Sequence, residues 1–163
     1  QWRKHETEHQ NTGLESSLEI LHLKSHLELL PYRKELIAKL DTIMPSYVEA
    51  DYQQVVLMPS GSGLGTHKDV WDIEYSSIIY LNDDYEGGET YIGLPGHELN
   101  DTIVKPKTGR LVSFRGKDIP HGVNEVTQGT RFTLPAWYST PEVLKKKRNL
   151  TKEEYKNEYT KHN

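Results

Sequence analysis

From Asp51 onward the chain changes its period, and that change limits the fold more than any other feature. Seven short runs rich in β-branched and aromatic residues follow one another, at 52–58, 75–81, 89–92, 102–105, 110–114, 122–126 and 130–138. Turn formers separate them: Asn82-Asp83-Asp84, Glu86-Gly87-Gly88, Leu94-Pro95-Gly96, Lys107-Thr108-Gly109 and Gln128-Gly129. Each run is too short for a stable helix, and no helical segment lies between them. A chain of this kind must bury its strands in a sandwich or a barrel. Residues 51–139 are therefore the predicted β core.

The stretch before it reads as helical. Ser16 with Glu19 three residues on resembles a capping box, and Ile20, Leu23, Leu27 and Leu30 recur at helical spacing up to Pro31. A second helix is predicted over 32–43, with Leu36, Leu40 and Ile43 on one face and Pro45 closing it. Residues 14–44 are thus expected to be two supporting helices on one outer face, and 1–13 a polar, flexible start. After Tyr138, Thr140-Pro141 stops the last strand. The tail 141–163 carries seven Lys/Arg against four Asp/Glu, and Thr151 with Glu154 marks a further helix start. The 163 residues suit a single domain of mainly β class with flanking helices (α+β).

Chemistry concentrates in Thr66-His67-Lys68-Asp69, just after the glycine-rich Pro59-Ser60-Gly61-Ser62-Gly63-Leu64-Gly65. In extended backbone, residues two apart share a side, so His67 and Asp69 can converge while Lys68 turns away. The glycines lack the Lys-Ser/Thr ending and following helix of a phosphate loop. His121, opening the run His121-Gly122-Val123, can supply a second imidazole. Two histidines and one carboxylate on one face, with open positions, suit non-haem Fe(II). The chain has no cysteine, which excludes disulfides, thiolate zinc and cysteine nucleophiles. Alternation along 130–138 puts Arg131, Thr133, Pro135 and Trp137 on one face, and Phe132, Leu134, Ala136 and Tyr138 on the other. A guanidinium inside a barrel is costly unless it meets a carboxylate. Tyr80, on the same face as Ser76 and Ile78, is a second donor to the same carboxylate.

This pattern resembles the Fe(II)/2-oxoglutarate-dependent dioxygenases: His67-Lys68-Asp69, His121, and Arg131 ten residues later. Ile79-Tyr80-Leu81-Asn82, Glu86-Gly87-Gly88-Glu89-Thr90 and Gly109-Arg110-Leu111-Val112-Ser113-Phe114 narrow the resemblance to the prolyl 4-hydroxylase-like branch. It covers roughly 52–138. The resemblance implies a double-stranded β-helix (jelly roll) with Fe(II) held by His67, Asp69 and His121. It implies 2-oxoglutarate bound through Arg131 and Tyr80, O2 as oxidant, and ascorbate as a candidate reductant. Hydroxylation of an unactivated C–H is then expected, with a prolyl residue of a peptide or protein as the leading target and succinate and CO2 released. There are two departures. Many relatives carry a tyrosine before the glycine loop, where this chain reads Val55-Val56-Leu57-Met58, and Pro135 replaces a hydrogen-bonding residue of some relatives.

Trp137, Trp71 and Thr133 are candidates for contact with substrate or for support around the metal. Selection of substrate is expected in the loops 70–74 and 91–101. Another amino-acid side chain, a small molecule, or a non-catalytic cupin-like module are the competing readings. Nucleic-acid demethylation is disfavoured, because that branch carries an arginine where Trp137 stands. Halogenation is disfavoured because Asp69 occupies the carboxylate position. The basic run Lys145-Lys146-Lys147-Arg148 reads as a solvated face. No run of apolar residues is long enough to span a membrane, and the start lacks the apolar core of a signal peptide, so a cytoplasmic setting is expected. Oligomeric state is not legible.

Overall fold

The computed structural model describes residues 3–7, 16–22, 27–93, 102–151, 153, 154 and 157. Strands β1 (Arg3–Thr7), β2 (Ser16–His22) and β3 (Glu49–Pro59) precede β4 (Leu64–His67), β5 (Tyr75–Tyr80) and β6 (Glu86–Gly87). Then come β7 (Thr90–Ile92), β8 (Thr102–Val104), β9 (Leu111–Phe114), β10 (His121–Val123), β11 (Val126–Gln128) and β12 (Thr130–Ser139). Helix α1 (Leu30–Leu40) lies between β2 and β3, and α2 (Pro141–Asn149) follows β12.

Two antiparallel sheets hold most of the strands. The larger has six, ordered β1-β2-β3-β12-β5-β9, and the smaller has four, ordered β4-β10-β7-β8; β11 and β6 form a separate pair. Residues of both sheets line one cavity, including Val56, Met58 and Thr133 from the larger and Leu64, Thr90 and Val123 from the smaller. The two sheets therefore face each other across it in the jelly-roll arrangement. Period-two alternation decides which side chains enter. On β12, Arg131, Thr133, Pro135 and Trp137 line the cavity, while Ala136 and Tyr138 turn outward under Leu40, Met44 and Val48. Helix α1 thus covers the outer face of the larger sheet.

The first predicted helix is absent. Ser16–His22 is a strand, pairing β1 on one side and β3 on the other, with Ile20 opposite Val56. The reason is tertiary. Strand β3 pairs β12 along one edge and needs a backbone partner on the other. Leu18-Glu19-Ile20 also fits a period of two, and Ile20 joins a buried cluster with Val56, Met58, Val123 and Val126. Residues 3–7, expected to be flexible, form the edge strand β1. Residues 8–13 and 23–26 lie outside the described ones, as does most of the loop 91–101. The second helix is found, shifted toward the N-terminus: it begins at Leu30, and Pro31 sits in its first turn, where no N–H partner is needed.

Thr140 caps α2 by accepting from the Val143 N–H at 3.3 Å. At Thr151 the capping box is present: Thr151 N–H donates to Glu154 Oε2 at 2.7 Å, and Glu154 N–H to Thr151 Oγ1 at 3.2 Å. Among the described residues, no helix is long and apolar enough to cross a membrane.

Candidate functional site

Strand β4 ends at His67, and β10 begins at His121; the antiparallel register places these two residues opposite each other. Their ring centroids are 4.4 Å apart. Asp69 lies just beyond β4, with its N–H donating to Gly116 O at 2.9 Å. One ligand atom from each of His67, Asp69 and His121 lies within 4.8 Å of the others. The sequence spacing is thus converted into a three-donor face, although Asp69 owes its place to a turn rather than to continued strand.

Both imidazoles are fixed by the same device. His67 Nδ1 is 2.9 Å from Gly65 O, and His121 Nδ1 is 3.0 Å from Ile119 O. A carbonyl only accepts, so each Nδ1 carries the proton and each Nε2 presents a lone pair. Burial and the neighbouring His121 push the His67 imidazole below its ordinary value, which favours the neutral form that binds metal. The Asp69 carboxylate is held from two sides: Ser76 Oγ donates to Oδ2, and Trp137 Nε1 to Oδ1 at 3.4 Å. Phe114 packs edge-on against His121 with centroids 4.7 Å apart. This donor set, with lone pairs converging and supporting hydrogen bonds in place, fits a divalent metal such as Fe(II).

A cavity of about 120 Å³ leads away from these three residues. Arg131 lines it, 2% exposed. Its Nη2 donates to Thr90 Oγ1 at 3.2 Å, and its Nη1 to Thr133 Oγ1 at 3.1 Å. The Arg131 Nε has no hydrogen-bond partner, and no acidic side chain pairs with the guanidinium among the described residues. A buried, uncompensated cation of this kind fits an incoming carboxylate. Tyr80 lies beside it, with the guanidinium carbon 5.3 Å from the ring centroid. The Tyr80 hydroxyl, however, is engaged with Thr90 Oγ1 at 2.7 Å and Val104 O at 3.3 Å, and Tyr80 is not among the cavity-lining residues. Thr90 Oγ1 accepts from Arg131 Nη2 and is bonded to the Tyr80 hydroxyl, at the wall of the cavity that Thr90 lines.

Trp137 and Thr133 reach the cavity, and Trp137 stacks on Tyr52 with centroids 4.4 Å apart. Trp71 does not line it; its ring lies 5.3 Å from Lys146 Nζ. Sequence reasoning passed over Thr90, although it closes the quoted run Glu86-Gly87-Gly88-Glu89-Thr90, and over Ser76, although Ser76 shares the face of Tyr80. It also passed over Gly116, where a Cβ would overlap the Asp69 carboxylate and the Ser76 hydroxyl. Nothing local marks that glycine.

Comparison with known proteins agrees with this geometry. The sequence model of the 2OG-Fe(II) oxygenase superfamily matches residues 53–139. Over 67 residues the chain is 40% identical to prolyl 3-hydroxylase 2 of Homo sapiens and 42% identical to prolyl 3-hydroxylase 3 of Mus musculus. That stretch is 40% of this chain and 10% and 9% of those proteins, so the match spans about a tenth of the curated relatives. Among solved structures, a 2OG-Fe(II) oxygenase family oxidoreductase from Burkholderia pseudomallei superposes with a TM-score of 0.72 at 16% identity, covering 85% of this chain and 73% of that one. A prolyl-4-hydroxylase from Pseudomonas putida gives 0.63 at 20% identity, covering 76% and 72%. A Trichoplax adhaerens prolyl hydroxylase in complex with a hypoxia inducible factor peptide fragment gives 0.67 at 16%, covering 88% and 73%.

Proposed function

Given that the chain belongs to the 2OG-Fe(II) oxygenase superfamily, we propose that it hydroxylates a prolyl residue within a peptide or protein, using Fe(II), 2-oxoglutarate and dioxygen. One observation carries the reading. Three metal donors converge on a cavity that also holds Arg131, a buried guanidinium without a carboxylate partner among the described residues.

His67, Asp69 and His121 are the proposed metal ligands. When bound, the metal together with 2-oxoglutarate and dioxygen supplies the oxidising chemistry that places one oxygen on a C–H carbon, with succinate and CO2 released. The chain's own residues prepare that chemistry. The backbone carbonyls of Gly65 and Ile119 hold both imidazoles in the tautomer that leaves Nε2 free. Ser76 and Trp137 hold the carboxylate of Asp69. Arg131 and Thr90 receive the far carboxylate of 2-oxoglutarate, and Thr133 keeps the guanidinium aimed. Met58, Val56 and Val123 exclude water around it. Tyr80 acts through Thr90 rather than by direct contact.

Prolyl chemistry is supported by the names of the relatives at about 40% identity, which are prolyl 3-hydroxylases and favour C3 as the hydroxylated atom. The structural neighbours named as prolyl-4-hydroxylases share the fold at 20% identity or less. Purified protein incubated with Fe(II), 2-oxoglutarate, ascorbate and a panel of proline-containing peptides should convert one peptide to a product heavier by one oxygen. Amino-acid analysis against 3- and 4-hydroxyproline standards then reads the position. Failure to form succinate with any peptide, free proline or other amino acid would overturn the proposal.

A further inference from the structure

We propose that Lys147, on α2, is a positioning residue for the metal centre: it ties the turn that follows Asp69 to β3 and so sets where the Asp69 carboxylate stands. The inference rests on the reading of His67, Asp69 and His121 as a metal-binding face.

The turn 69–74 joins that ligand to β5. It is anchored at its start by Asp69 N–H to Gly116 O (2.9 Å) and at its end by Glu74 N–H to Tyr138 O (2.8 Å). Its middle is anchored by Asp72, whose side chain is fully buried. Lys147 Nζ lies 2.9 Å from Asp72 Oδ2 and also contacts Asp51 Oδ2 on β3. Ser139 Oγ adds a bond to Asp72 O at 2.6 Å. One ammonium therefore bridges two carboxylates, one from the ligand-bearing turn and one from the sheet. Without it those carboxylates would sit together in a poorly hydrated place and repel each other.

Only this lysine of the basic run has turned inward. Its side chain is 18% exposed, whereas Lys145, Lys146 and Arg148 are exposed. Leu144, 6% exposed, packs one turn earlier and seats the helix. The run read from sequence as a solvated face is thus split, with one member inserted beneath the turn that carries Asp69. Asp69 and Asp72 are three residues apart, so a shift of the buried end moves the ligand end. A metal site tolerates little such movement, because its donors must keep their mutual geometry.

The test uses apo protein with Co(II), which reports its coordination through its visible absorption and needs no turnover. The variants are Lys147→Met, Lys147→Arg and, as a surface control, Lys145→Ala. Lys147→Met should weaken Co(II) binding by about 10-fold, the lower end of the loss seen when a partner touching a metal ligand is removed, because Lys147 acts one contact further out, and should change the Co(II) spectrum. Lys147→Arg should restore most of the affinity and the wild-type spectrum, and Lys145→Ala should match wild type. A folded Lys147→Met protein with unchanged Co(II) affinity and spectrum would overturn the inference. If Lys147→Met does not fold, Asp72→Asn decides: it leaves Lys147 paired with Asp51 and should still weaken Co(II) binding, and unchanged binding overturns the inference. Wild-type protein that binds no Co(II) would instead overturn the metal-centre reading itself.

Discussion

Gly116 shows how much one side chain's absence can decide. A Cβ at that position would overlap the Asp69 carboxylate and the Ser76 hydroxyl that donates to it. Gly116→Ala should therefore displace the carboxylate and weaken Co(II) or Mn(II) binding by at least about tenfold, in the range expected for disrupting a ligand's supporting partner. Calorimetric titration of apo protein checks it, and wild-type affinity in a folded Gly116→Ala protein would refute it. Thr90 makes the complementary case at the other side of the cavity. Its hydroxyl joins the Tyr80 hydroxyl and the Arg131 guanidinium at the cavity wall. Thr90→Val keeps the shape and removes the hydroxyl. The expected outcome is a KM for 2-oxoglutarate raised roughly 10-fold, the scale of about 1.4 kcal/mol for a lost hydrogen bond to a charged group, with metal binding unchanged. If KM is unmoved, Thr90 does not touch the cosubstrate.

At the scale of elements, the two helices and the added strands have different origins. Helix α1 is amphipathic enough to be seen in the sequence, and it packs Leu40 and Leu36 on Met44, Val48, Ala136 and Tyr138. Leu40, 3% exposed, is central to that cluster. Leu40→Ala should cost about 2–5 kcal/mol of stability, read as a lower urea midpoint, while the outward side of β12 that it covers is not the side that meets the proposed metal donors. Metal affinity of the folded variant should therefore stay at the wild-type level. Strand β2 tells the opposite story. Ser16, Glu19 and Ile20 carry a helix-start signature, yet this segment pairs with the open edge of β3. Local capping signals are weak beside a row of backbone bonds and the burial of Ile20 among Val56 and Met58.

For the whole molecule, the titrating groups with raised values all set the alkaline limit. Burial pushes the Tyr138 phenol up to about 12, with Asp41 adding to it, and burial likewise pushes Tyr85 up to about 12 despite the nearby Arg131 charge. Lys147 is also raised: burial opposes its charge, but bonds to Asp51 and Asp72 outweigh it. Each group holds its proton more tightly in the folded chain than in the unfolded one. Their contributions are therefore complete below about pH 10, near the unfolded tyrosine and lysine values. They are lost as pH rises through the folded values. Urea midpoints should be insensitive to these groups from pH 7 to 9 and fall steeply above 10. In Tyr138→Phe the decline should be shallower, and a decline as steep as wild type would show that Tyr138 does not contribute.

Most strands of the β core from 51 to 139, the inward face of β12 and the meeting of His67, Asp69, His121 and Arg131 at one cavity were legible in the sequence. Each rests on a short period or a fixed spacing, and alternation transmits such local order directly into which side chains share a face. Only the tertiary structure decided the strand at Ser16–His22, the relay from Tyr80 through Thr90, the emptiness at Gly116 and the inward turn of Lys147. Each of these joins residues far apart in the chain, where energy comes from satisfying a buried backbone edge, hydroxyl or charge. No local pattern records such a demand, because the group that creates it and the group that meets it lie on different elements or turns of the chain.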